Sequence, residues 1–233
     1  MIFESSGLGL LNQGKKIFFS YHEDLSKIKE SIRILENVVK SDPTNVEAMI
    51  IISRAFLTYG DLVPKTDDER IKAYKSGKMW AEKALKVDEN SAQAHLWYFA
   101  NLGRLQEIKG LLYGLRTLPE LKKHILKAYE LAPSDVMIVE ALGVFYRDAP
   151  GIVGGDLEKA EKFLREAIKI DPNYTLSYLD LAVLLYNKKK YNEAKITAEK
   201  VLQIKNPTFI ADWATWDKPK AEELLKKIEK EYQ

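Results

Sequence analysis

Near the C-terminal end the chain reads Tyr178-Leu179-Asp180-Leu181-Ala182-Val183-Leu184-Leu185. After Lys188-Lys189-Lys190 it continues Ala194-Lys195-Ile196-Thr197-Ala198-Glu199-Lys200-Val201. Tyr178, Leu181, Ala182 and Leu185 recur at three- and four-residue steps, the spacing that puts side chains on one helical face. Ala194, Ala198 and Val201 do the same on a second helix. The lysine run between them reads as a solvated turn that complements the dipole of the first helix. Large residues with one small residue on the first helix, and small residues on the second, describe an antiparallel hairpin. The helices cross closely at the small positions, and the large side chains fill the groove toward the next hairpin.

Working outward, the segments that close such hairpins recur. Their end markers are Asp42-Pro43, Asp88-Glu89, Ala132-Pro133, Asp171-Pro172 and Lys205-Asn206. The markers end at 43, 89, 133, 172 and 206, so successive spacings are 46, 44, 39 and 34. Thirty-four residues is the tetratricopeptide period. The other gaps exceed it by 12, 10 and 5, which implies insertions that shrink toward the C-terminus. The fourth repeat fits through Leu142, Gly143, Tyr146, Ala160, Leu164 and Ala167, and the second through Ile52, Ser53, Phe56, Gly77, Ala81 and Ala84. In the third repeat Phe99 stands where a small residue belongs, so packing there is expected to differ. The first repeat has a clear second helix (Ser31, Leu35, Val38), with residues 8–21 as its poorer first helix. Lys218 to Tyr232 carries Ala221, Leu224, Leu225 and Ile228 on one face and charges on the other, as a capping helix does.

The expected fold is therefore all-α, a right-handed α-α superhelix of five hairpins without strands. It is read as one domain over residues 1–233, with repeats at 8–45, 46–91, 92–135, 136–174 and 175–208 and a cap at 217–232. A bulky residue at Ala160 or Ala194 is expected to cost roughly 1–3 kcal/mol by overpacking. Denaturant unfolding of Ala160→Leu and Ala194→Leu checks this, and wild-type stability in both would overturn the register.

Composition excludes several classes. Thirty-six basic against 34 acidic residues give a formal charge of +2, without the excess or dense stripe of a nucleic-acid binder. The absence of cysteine removes disulfides, thiol catalysis, cysteine-ligated zinc and iron–sulfur clusters. No apolar run approaches the roughly 18–20 residues of a membrane span. Met1-Ile2-Phe3-Glu4 does not begin an export signal, so the chain is expected in the cytosol unless such a signal has been removed.

The register places each insertion between the two helices of its repeat. In the second repeat it lies between Gly60 and Gly77, where Thr66 caps a helix whose first turn holds Asp67, Asp68 and Glu69. That helix is expected to be longer by about three turns. In the third repeat the surplus lies near Gln106–Arg116, and in the fourth it is Ala149-Pro150-Gly151-Ile152-Val153. Equivalent turns stack in a solenoid, so the three should build one wall. Leu62, Val63, Leu111, Leu112, Tyr113, Ile152 and Val153 would roof the groove into a pocket, or simply pack on one another.

No catalytic set emerges. His22, His95 and His124 lack metal-ligand spacing, although His95 and His124 can approach within the third repeat. Gly151-Ile152-Val153-Gly154-Gly155-Asp156 follows a helix and lacks the Lys-Ser/Thr of a P-loop, so it reads as a tight turn with Asp156 as N-cap. Candidate ligand residues come instead from the groove side of the first helices: Arg54, Trp97, Asn101, Arg104, Glu140, Arg147 and Tyr186, with Tyr113 from an insertion. Three of the seven arginines, Arg54, Arg104 and Arg147, fall on first helices of successive repeats. They would offer planar forks to a carboxylate, or pair with Glu47, Glu140 or Asp148. Among Trp97, Tyr98, Phe99 and Tyr113, at least one is expected to face the groove.

Three stretches carry a closer resemblance: Trp97 to Arg104, Leu142 to Asp156, and Asp217-Lys218-Pro219-Lys220-Ala221-Glu222-Glu223-Leu224-Leu225. Over most of residues 25–228 the chain resembles a bacterial group, the T component of tripartite ATP-independent periplasmic transporters, and the related eukaryotic regulators of microtubule dynamics. The resemblance implies a non-enzymatic cell-envelope protein without cofactor or metal. Such a protein trimerises, docks a periplasmic solute-binding protein and shelters an apolar or anionic ligand. The chain departs from it in lacking a lipobox cysteine. The alternative expectation is a cytosolic adaptor that grips an extended peptide of a partner protein.

Overall fold

The computed structural model describes residues 2–231, and every described element is helical. Tyr232, assigned above to the cap, lies outside that range, as does the Val153 side chain assigned to the wall. Two compact units meet in sequence between Leu131 and Ala132.

The first unit holds three antiparallel hairpins: α1 (Ile2–Phe18) with α2 (Ser26–Ser41), α3 (Val46–Leu62) with α4 (Asp67–Val87), and α5 (Ala92–Lys109) with α6 (Leu111–Leu131). The second holds α7 (Val136–Asp148) with α8 (Leu157–Ile170) and α9 (Thr175–Asn187) with α10 (Tyr191–Gln203). A closing element follows: α11 (Ile210–Asp212), a π turn (Trp213–Asp217) and α12 (Lys218–Lys230).

The repeat ends share one local device. At Asp42, Asp88 and Asp171 the carboxylate accepts the N–H two residues on, from Thr44, Asn90 and Asn173 at 3.0, 3.0 and 2.8 Å. These Asx turns end one helix and launch the next. Asn45, Ser91 and Asp135 then cap α3, α5 and α7 by accepting from Ala48, Ala94 and Met137.

Close crossings occur at the small residues. Ala160, Ala182, Ala194 and Ala198 are fully buried, and Gly143 leaves room for Leu164. In the first two hairpins a hydroxyl locks the crossing: Ser31 Oγ donates to the Gly14 carbonyl at 2.8 Å and Ser53 Oγ to the Gly77 carbonyl at 2.7 Å. The third hairpin differs as expected. Phe99 is buried, and Tyr98 of α5 stacks flat on His124 of α6, ring centroids 3.8 Å apart.

Thr66 caps α4 from the position expected, with its oxygen 3.4 Å from the Glu69 N–H, and α4 runs 21 residues. The third insertion became helix on both sides of one residue, Gly110, rather than a loop. The fourth closes as a 3-10 turn (Gly151–Val153), and Asp156 caps α8 by accepting from Glu158 and Lys159, both at 3.0 Å. The apolar insertion residues require a correction: Leu111, Leu112 and Ile152 are 73%, 84% and 94% exposed, so they neither roof a groove nor pack on one another. In the second and third repeats the extra residues lengthen helices instead of folding over their neighbours.

The lysine run is also more than a solvated turn. Lys188 Nζ donates to Glu158 at 2.7 Å and Glu161 at 2.8 Å, and Lys189 closes the turn with φ 59°. The bonds from Lys188 and Arg165 hold Glu161 down to about 2. In the closing element the Lys218 N–H donates to the Trp213 carbonyl five residues back. Beyond that turn α12 buries Ala221, Leu224 and Ile228 against α9 and α10, as a cap should.

Candidate functional site

The sequence placed its candidates on the first helix of each hairpin. In the first unit Arg54 of α3 is buried under aromatic rings. Its guanidinium lies 5.7, 5.2 and 5.0 Å from the rings of Phe18, Phe19 and Trp97. Cation–π contact of this kind suits a weakly hydrated, planar cation. Trp97 is itself buried, and its Nε1 donates to Gln93 Oε1 at 3.1 Å.

Asn101 is fully buried and serves helix packing rather than the groove. Its amide donates to the Trp97 carbonyl at 2.8 Å and to Ser53 Oγ at 3.2 Å. The reason is Gly77: a Cβ there would overlap the Asn101 amide, so the absence of a side chain on α4 is what lets Asn101 enter. Of the four clustered aromatics, Trp97, Tyr98 and Phe99 are all buried. Only Tyr113 is partly exposed, with Lys109 Nζ 4.2 Å from its ring.

Arg104 of α5 faces Asp61 of α3, Nε to Oδ1 at 3.1 Å, and donates to Glu107 at 3.0 and 3.1 Å. Asp61 also accepts from Tyr74 of α4 at 2.7 Å, and burial beside that carboxylate pushes the Tyr74 hydroxyl well above its ordinary range. Three helices are thus joined through one carboxylate. Glu47, offered above as an arginine partner, pairs instead with Lys15.

The two histidines do meet. His95 Nδ1 lies 2.9 Å from His124 Nδ1, and His95 Nε2 lies 3.1 Å from the Glu89 carbonyl. A carbonyl only accepts, so His95 Nε2 carries the proton and its Nδ1 accepts from His124. Burial, helped by His95, holds His124 down to about 4, and burial lowers His95 too. Both rings are therefore neutral at pH 7, and both Nδ1 atoms are spent on each other. Among the described residues no group of three histidines or carboxylates is arranged to hold a metal ion.

In the second unit Arg147 of α7 grips Asp148 through two nitrogens, at 2.7 and 3.0 Å, and reaches Asp180 of α9 at 2.5 Å. Of the two readings of this arginine, the Asp148 pairing is the one the geometry contains. Glu140 is buried beside Asp180. Burial and that carboxylate raise it well above the carboxylate range, so it keeps its proton and hydrogen-bonds Asp180. Asp217, at the end of the π turn, accepts from Thr175 Oγ1 at 2.5 Å and is buried too. Tyr186 donates to Glu231 at 2.9 Å, which ties α9 to the end of the cap.

The sequence did not single out Asp61, Asp180 or Asp217. A signal existed for Asp180, the one charge in the apolar run Leu176–Leu185. None existed for Asp61 or Asp217, whose partners lie in other helices. The arrangement is preorganised and charge-paired. Its exposed groups, such as Glu107 and Asp148, are suited to contacts with another molecule.

Comparison with known proteins agrees with this architecture. The family model for regulator of microtubule dynamics proteins 1–3 matches residues 11–149, and a tetratricopeptide-repeat model matches residues 154–208. Regulator of microtubule dynamics protein 3 from Rattus norvegicus is 39% identical over 79 residues, 33% of this chain and 17% of that protein. Regulator of microtubule dynamics protein 1 from Bos taurus is 24% identical over 164 residues, 62% of this chain and 52% of that protein. The chain thus spans about half or less of the relatives it matches. A crystal structure of a thermophilic tetratricopeptide-repeat protein from Thermus thermophilus aligns with a TM-score of 0.69 at 15% identity, covering 96% of this chain and 97% of the other. Pseudomonas aeruginosa PilF aligns with a TM-score of 0.56 at 16% identity, covering 97% and 94%. At such identities these two speak for the fold alone. The transporter half of the resemblance drawn from sequence finds no support here; the other half does.

Proposed function

Because the chain belongs to the regulator of microtubule dynamics family, we propose that it is a helical-repeat interaction module that holds an extended segment of a partner protein, in the setting its relatives' name gives, control of microtubule dynamics. The observation that carries this reading is the family match over residues 11–149 on a tetratricopeptide-repeat scaffold. The geometry is in keeping with it. The first helices present fixed charged groups (Arg104 with Glu107, Arg147 with Asp148), held in place by hydrogen bonds before any partner arrives. Preorganised side chains lose little freedom on binding, which is where peptide-binding surfaces gain affinity.

The contact residues proposed are Arg104 and Tyr113 in the first unit and, taken by themselves, Arg147 and Tyr186 in the second, with Glu140 buried beside Asp180 and Arg54, Trp97 and Asn101 as the buried frame that fixes α3 and α5. Two measurements test the reading. Wild-type protein is expected to co-pellet with polymerised tubulin or to retain discrete peptides on an array of microtubule-associated sequences. Arg104→Ala and Arg147→Ala together should weaken that binding about tenfold or more. Retention by neither tubulin nor any peptide would overturn the function. Binding unchanged in the double variant would remove the arginines from it.

A further inference from the structure

The connection between α5 and α6 is a single residue, Gly110, in the left-handed region (φ 79°). α6 opens on Leu111 and Leu112, 73% and 84% exposed, with Leu115 one turn further and 45% exposed. The buried face of α6 begins only at Leu118. One side of the first two turns is tied to α5, where Gln106 donates to Thr117 Oγ1 at 2.8 Å, and the other side leaves its leucines in solvent. A contiguous apolar patch of this kind marks a contact surface.

The charged residues nearest the leucines along the chain are basic. Lys109 and Arg116 are exposed, and Lys109 sits over the ring of Tyr113, itself part-exposed. The nearest acids along the chain are already engaged: Glu107 with Arg104, and Glu120 with Tyr98 and Lys78. Exposed leucines, an aromatic ring with a polar tip and flanking basic residues are the makings of a helix end that enters the headgroup layer of a bilayer. A protein partner fits less well. Three leucines fall far short of the roughly 800 Å² that each side of a stable interface buries. A lipid surface needs no shape complement.

We propose that the α5–α6 tip docks this protein on membrane surfaces that contain anionic lipid. Leu111 and Leu112 enter the acyl boundary, Tyr113 sits at headgroup level, and Lys109 and Arg116 face the phosphates. Among the described residues no helix is long and apolar enough to cross a membrane, and the contact proposed is made by the helix tip alone. Asp67, Asp68 and Glu69 open the second helix of the preceding hairpin, α4, and that turn would oppose an anionic surface.

The chain has no cysteine, so Leu112→Cys gives a unique attachment point for an environment-sensitive fluorophore. With vesicles of phosphatidylcholine plus phosphatidylserine, the label should shift to the blue and the unlabelled wild type should float with the lipid. Leu111→Asp with Leu112→Asp should cut the bound fraction about tenfold or more while leaving thermal unfolding unchanged, because both positions are exposed. Lys109→Gln with Arg116→Gln should weaken binding to anionic vesicles only, and added salt should do the same. No flotation of the wild type, or equal flotation of the leucine variant, would overturn the proposal. So would a wild-type dimer in light scattering that the leucine variant abolishes, since a second copy would then cover the tip.

Discussion

Between pH 4 and pH 8 the unfolding free energy of the Asp217→Asn protein, relative to wild type, is expected to rise by about 4 kcal/mol. Asp217 is 2% exposed, one carboxylate oxygen accepts from Thr175, and the other meets no donor. Burial pushes the group up to about 7, against the pull of the Thr175 bond, and Asp212 and Asp180 add to the rise. The unfolded chain releases this proton near 3.9, so below pH 4 both states hold it. As pH climbs from there to 7, the unfolded state ionises first and wild type loses stability; above 7 the loss is complete. Asparagine cannot ionise. At low pH it shows only the roughly 1–3 kcal/mol penalty of an amide nitrogen that lacks an acceptor. At pH 8 the avoided ionisation outweighs that penalty. Glu140 is held protonated as well, and the Asp217 charge is the smallest of the causes that raise it, so its removal in the variant eases the ionisation of Glu140 and moves the swing in the same direction. Urea unfolding of the two proteins at pH 4, 6 and 8 reads the swing, and parallel curves would show that Asp217 is not buried as described.

The second large effect is steric and backbone-level. Gly155→Ala is expected to destabilise the second unit by about 3 kcal/mol or more. A Cβ at Gly155 would fall well inside the Ala149 carbonyl oxygen, with the carbonyl carbons of Ala149 and Pro150 close behind. Nothing there can yield cheaply, because the turn is closed by Gly155 N–H to Pro150 at 3.1 Å and Asp156 N–H to Tyr146 at 2.8 Å. Losing it would also release the Asp156 cap on α8. Two neighbours supply the scale. Gly154, at φ 109°, should lose about 1–2 kcal/mol as alanine through left-handed strain, and Gly151, which faces open space, should lose almost nothing. A graded loss in thermal melts from 151 through 154 to 155 checks the account, and a neutral Gly155→Ala would sink it.

The legible parts of this molecule are the local ones. Thr66 and Asp156 were readable as caps because a capping side chain bonds within three residues of itself. The repeat was readable because small residues must recur wherever two helices cross. What escaped reading depends on partners far along the chain. Asn101 looked like a groove residue, yet Ser53, 48 residues earlier, and the bare backbone of Gly77 draw it inside. Arg147 could be paired with its sequence neighbour Asp148 by inspection, whereas Asp180, 33 residues on, could not. The third insertion misled for another reason: its residues were expected either to roof the groove or to pack on their neighbours, but Leu111–Arg116 form the opening turns of α6 and leave their leucines in solvent.

The turn at Trp213–Asp217 has a consequence for anyone who would transplant the closing element. One residue more than an α-helical turn requires is absorbed there, and each such residue rolls the following helix by about 100°. The stretch before it, which lets Trp213 Nε1 donate to the Val201 carbonyl, and the stretch after it, which seats Leu224 and Ile228, therefore run in different helical phases. A graft that begins at Lys218 would leave that roll behind and present α12 to its new host on the wrong bearing. One that begins at Ile210 would carry its own orientation with it.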